Sequence, residues 1–161
     1  MFKKFAIALP MAAIAFTGAF TCALPSAAIA QEASQPTVSV EARLLYEQSG
    51  KMSVNLAGNG YFTAYNTVIG EGSAQENASD MVIRAVIKAD GQIFSETPLF
   101  ITVYDSKGSV IKQRKIERLL LEKTTYRTMM LEDASCMGEI TVEAKMGNSV
   151  QREDLNMLCG E

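Results

Sequence analysis

Three groups of side chains in this sequence could act at a defined place: a pair of cysteines, a run of carboxylates and a run of cations. Cys136 and Cys159 flank Gly147-Asn148, a tight-turn signal. If that dipeptide is a two-residue hairpin loop, Met146 faces Ser149. The same register then sets Cys136 opposite Cys159, with Cα atoms about 5.5 Å apart or less, within disulfide reach. It also sets Glu143 opposite Arg152 and Ile140 opposite Leu155. The pair reads as structural, because no Cys-x-x-Cys and no His is present to lower a thiol pKa.

The carboxylates Glu71, Glu76 and Asp80 lie in Gly70–Asp80, which has no basic residue. Calcium needs six or more oxygens, often from Asp at alternating positions. This segment lacks Asp-x-Asp-x-Asp-Gly, so it reads as a solvated loop or a binding loop, and no metal is expected. The cations Lys112, Arg114, Lys115, Arg118, Lys123 and Arg127 outnumber Glu117 and Glu122 across residues 112–127. Lys112, Arg114 and Arg118 are the candidates for meeting an anionic partner. The plainer alternative is an edge strand that Lys and Arg protect from pairing. Met129, Met130, Met137, Met146 and Met157 are not clustered tightly enough for copper and read as core fillers. Glu132-Asp133 and Glu153-Asp154 would point to opposite faces of a strand, so neither pair makes a carboxylate dyad. The absence of His removes serine triads, Cys-His pairs and His-ligated metals. The expectation is a protein that is not an enzyme and carries no cofactor.

What must position these residues begins after a leader. Met1-Phe2-Lys3-Lys4 is a short basic start, an apolar stretch runs from Phe5 to Phe20, and Ala28-Ile29-Ala30 is a small-x-small cleavage signal. From Phe5 to Ala30 the chain is long enough to span a bilayer, but Pro10 and Pro25 interrupt it and no basic cluster follows, against a membrane anchor. Lipidation at Cys22 fits less well, because Thr21 precedes it. The expected organisation is a cleaved signal peptide, 1–30, and one domain, 31–161, periplasmic or secreted. The chain carries −3, and losing Lys3 and Lys4 takes it to −5, a balance against nucleic-acid binding.

Within 31–161 the recurring period is two. Val38–Leu44, Met81–Lys88, Leu99–Tyr104, Thr124–Met130 and Ile140–Ala144 read as strands, with Ile83, Ala85 and Ile87 on one face and Leu99, Ile101 and Val103 on another. Asp90-Gly91 reads as a hairpin loop, Asp105–Gly108 as a type I turn, and Pro98 as a strand start. Residues 112–123 are rich in helix formers, with Ile116, Leu119 and Leu120 at helical spacing. Their β neighbours favour a strand running on from Val110-Ile111 and then a crossing loop, with a helix as the alternative.

From Asn77 to Cys159, the Leu99–Tyr104 strand, the Asp105–Gly108 turn and the final hairpin together resemble small secreted bacterial proteins with an immunoglobulin-like or fibronectin-like sandwich. Asn66–Gly72 is similar to a segment of exported proteins of Gram-negative bacteria. The resemblance implies an all-β, immunoglobulin-like antiparallel β-sandwich with a C-terminal disulfide-linked hairpin. It departs from the antibody type in having no Trp and in placing both cysteines in one hairpin. It implies nothing catalytic. The expected function is a binding or accessory module of the bacterial envelope, partnered by another protein or an anionic envelope component. The alternatives are an assembly factor or chaperone for exported, including amyloid-type, subunits, and, less favoured, a carboxylate hydrolase.

Overall fold

Alternation over TVSVEARLL builds the first strand, β1 (Thr37–Leu45), which buries Val38, Val40, Ala42 and Leu44 and leaves their neighbours partly exposed. In the computed structural model the described residues are 35–58, 61–65 and 76–159, with backbone alone for 61–65 and 158–159. The expected leader, Glu71 and Asn66–Gly72 lie outside them. Every further regular element is also a strand: β2 (Tyr61–Tyr65), β3 (Asp80–Lys88), β4 (Ile93–Ser95), β5 (Leu99–Asp105), β6 (Val110–Ile116), β7 (Leu119–Leu121), β8 (Thr124–Leu131), β9 (Gly138–Met146) and β10 (Ser149–Cys159). Among the described residues no helix is long and apolar enough to cross a membrane.

The strands form sheets of order β1-β3-β8 and β2-β10-β9-β5-β6, with a small β4-β7 pair. The two larger sheets share one core. Val38 to Leu44 of β1 and Met81, Ile83, Ala85 and Ile87 of β3 belong to the same buried cluster as Leu99, Ile101 and Val103 of β5 and Ile140, Val142, Ala144 and Met146 of β9. This is a β-sandwich, and the β4-β7 pair adds Leu119 and Leu121, both buried, to the same cluster. The described residues belong to one compact unit.

The five expected strands are present, and the 112–123 segment is extended: β6 gives way at Arg118 (φ 53) to β7, so a short strand stands where a crossing loop was expected. The Asp105–Gly108 turn forms as read, with Gly108 N–H donating to Asp105 O at 2.9 Å and Gly108 at φ 79.

Three expectations need correction. Asp90-Gly91 joins β3 to β4, which do not pair; β4 pairs with β7 instead, because Ile93 and Leu121 close the core there. The sheets are not wholly antiparallel, since β2 runs parallel to β10. The β9–β10 register is the expected one, from Met146 opposite Ser149 to Gly138 opposite Met157. It stops short of the cysteines. Cys136 sits in a turn at φ 65, Gly138 turns the chain at φ 75, and Cys159 pairs along β2 with Tyr65. Cys136 and Cys159 therefore do not face each other as rungs of the ladder.

Candidate functional site

The outward face of the five-stranded sheet is polar because β5, β9 and β10 alternate. Registers place Gln113 beside Thr102, Thr102 beside Glu143, and Glu143 beside Arg152, making one row across four strands. The next row is Tyr104, Thr141 and Asp154. Side chains bond along and between these rows. Gln113 Nε2 donates to Thr102 Oγ1 at 3.0 Å, and Tyr104 OH donates to Glu143 Oε1 at 3.3 Å. Arg152 Nε donates to Glu143 Oε2 at 2.5 Å, and Thr141 Oγ1 donates to Asp154 Oδ1 at 2.7 Å.

Glu143 is buried although it points outward, and Thr102 beside it is buried too. A buried carboxylate needs charge-assisted partners, and here they are the guanidinium and the phenol. In return, the hydrogen bond that Arg152 donates to Glu143, and then the charge of that carboxylate, hold Arg152 above the ordinary arginine value. The Arg152 side chain remains 65% exposed, so its remaining N–H groups are open to a ligand.

A cleft of about 670 Å³ opens against this network at the β5–β6 turn end of the sheet. Tyr104, Asp105, Thr141, Arg152, Asp154 and Asn156 line it. Asn156 Oδ1 is buried and has no hydrogen-bond partner among the described residues. The cleft thus offers an aromatic ring, a cation, carboxylates and an amide at fixed places, which suits recognition by hydrogen bonds. No group of three or more potential metal ligands occurs among the described residues.

The residues singled out from sequence fall elsewhere. Glu76 accepts from Ser49 N–H at 3.0 Å and ties two loops together, and Asp80 accepts from Asp133 N–H at 3.3 Å and ties the start of β3 to the turn after β8. Lys112 pairs with Glu132 at 3.3 Å, Arg114 Nη1 donates to the Thr128 carbonyl, and Arg118 occupies the link between β6 and β7. The acidic and basic candidates are not brought to one place. Sequence reasoning did set Glu143 opposite Arg152. It missed Tyr104, Asp154 and Asn156 as a site, because the β5–β9 pairing that joins them is non-local.

No family model matches the chain, and no curated protein is similar to it in sequence. Among solved structures, an immunoglobulin-like protein from Pseudomonas aeruginosa is similar at 9% identity over 78% of this chain and 98% of that one, with a TM-score of 0.42.

Proposed function

We propose that the chain is an exported, non-enzymatic binding module of the bacterial cell envelope, with an immunoglobulin-like fold, that takes its ligand in the cleft between Tyr104 and Asn156. One observation carries this reading: the buried Glu143 pins both Tyr104 and Arg152 at the cleft wall, so two recognition groups are held in place before any ligand arrives. The basic start, apolar stretch and Ala28-Ile29-Ala30 support export. Cys136 is not a free thiol, and Cys159 is the partner we assign to it.

The test has two parts. Expression of the full chain in a Gram-negative host should yield periplasmic protein whose intact mass lacks residues 1–30. Amide chemical shifts of that protein, titrated with soluble peptidoglycan fragments, lipid headgroups and peptides, should then move at Tyr104, Thr141, Asp154 and Asn156. Cytosolic, uncleaved protein removes the envelope reading, and shifts confined to other faces remove the cleft.

A second reading, an assembly factor that holds exported subunits by a strand edge, is favoured by a separate observation: among the described residues, no strand covers the far side of β6.

A further inference from the structure

The outer edge strands of the sandwich are treated differently. On β1, Asn55 Oδ1 accepts from Ala42 N–H at 2.9 Å, Ser53 Oγ from Leu44 N–H at 2.9 Å, and Ser149 Oγ from Val38 N–H at 2.9 Å. The same edge's carbonyls at Ala42 and Leu44 accept from Leu56 and Ser53 N–H groups. On β8, the carbonyls of Thr128 and Tyr126 accept from the guanidiniums of Arg114 and Arg127. Both edges of the three-stranded sheet are therefore occupied. β6 ends the five-stranded sheet over seven residues, VIKQRKI, and no backbone bond to its far side is present among the described residues.

We infer that the far edge of β6 takes an extended acidic segment of a partner protein as an added strand. This goes beyond the cleft and rests on the assembly-factor reading for the partner's role.

Charge selects the occupant. In antiparallel pairing only every second residue turns its N–H and C=O toward the new strand, so residues of like parity must face each other. For a second copy of this chain, the centred register puts Lys112 opposite Arg114 twice. Shifting it either way puts Arg114 against Arg114 or Lys112 against Lys112. Each of these registers opposes like charges directly, which destabilises a sheet pair. The edge is thus closed to its own kind by Lys112 and Arg114, which share the core-facing side with Ile116. A strand with Glu or Asp at two alternate positions reverses the sign at both. The existing ion pairs offer little resistance, since Lys112–Glu132 and Lys115–Glu117 are both exposed, solvent-screened contacts. Val110 and Ile111, 55% and 38% exposed, give the incoming strand apolar contact at one end.

The experiment uses protein recovered from expression of the full chain and a soluble nine-residue peptide of alternating Glu and Val, with an alternating Lys and Val peptide as control. Amide exchange should slow about tenfold or more at alternate residues of 110–116 with the Glu peptide and not with the Lys peptide. Binding should weaken roughly fivefold between low and physiological salt. Lys112→Gln with Arg114→Gln should weaken it about tenfold, and Lys112→Glu with Arg114→Glu should transfer preference to the Lys peptide. Equal protection by both peptides, or protection confined to the cleft residues, would overturn the inference. A fibril-forming exported subunit supplies the separate arm. Peptide binding at β6 without slowing of fibrils sinks the assembly-factor reading and leaves the edge contact standing. Slowing that survives the Lys112→Gln, Arg114→Gln pair sinks the edge contact and leaves that reading.

Discussion

Glu143 shows how an outward-facing carboxylate comes to be buried. Thr102 and Tyr104 on β5 and Arg152 on β10 flank it, and the last two bond its oxygens. Arg152→Ala leaves that carboxylate with the phenol alone and should lower stability in urea unfolding. Glu143→Gln in the same chain should recover part of the loss, because the uncompensated charge is gone. A double-mutant cycle that came out strictly additive would contradict the coupling. Lys115 and Glu117 make a second, exposed pair: the Lys115 hydrogen bond, and then its charge, lowers Glu117 below its ordinary value of 4.5. Its contribution is present above 4.5 and is lost as pH falls through the lower folded value. Lys115→Ala should return Glu117 to the ordinary value in a carboxyl NMR titration. At this scale the sequence was readable where chemistry was local. The Glu143–Arg152 pairing follows from a two-residue turn, whereas the Tyr104 contact depends on a strand far away in the chain.

Strand edges decide much of what this sandwich can do. Ser53 is buried, accepts from Leu44 N–H and donates to the Val54 carbonyl at 2.8 Å, so one small side chain closes part of the β1 edge. Ser53→Ala should leave the Leu44 N–H unpaired, cost about 2 kcal/mol and speed exchange of that amide. An unchanged exchange rate would mean that water replaces the hydroxyl there. Turn chemistry and alternation revealed β1, β3, β5, β8 and β9, because each carries its own apolar face. The three-residue strands β4 and β7 are too short to show a period, and Asp90-Gly91 carries the turn signal of a hairpin without having a paired strand on each side. The parallel partner of β2 was illegible for another reason: parallel pairing leaves no local turn to read. Lys and Arg in β6 blurred the reading toward helix, although these residues are what an uncovered edge calls for.

At the scale of the whole molecule, the core is closed by pairings far apart in sequence, and the turn after β8 is one of the places where the ends are tied. Asp133 (φ 51) and Cys136 (φ 65) both adopt a conformation that costs an L residue about 1–2 kcal/mol. The strain is held by bonds to the start of β3 and the residue before it: Ala134 N–H donates to Ser79 O at 2.6 Å, and Asp133 N–H donates to Asp80 Oδ1. If Cys159 is the partner of Cys136, as proposed, the same turn would also be fastened to the last strand, whose inward side chains Leu155 and Met157 belong to the core. Such a link would close a loop spanning the β9–β10 hairpin and would restrict the unfolded chain more than it alters the folded one. Reduction should therefore lower stability by roughly 3 kcal/mol. The loss should appear as a lower unfolding midpoint with little change in the native amide spectrum away from Cys136 and Cys159. Intact mass should rise by two hydrogens on reduction, and Cys136→Ala should reproduce the lowered midpoint without further loss when reductant is added. A mass that does not change on reduction would remove the proposed link between this turn and the tail, and with it the argument from the cysteines for an oxidising compartment.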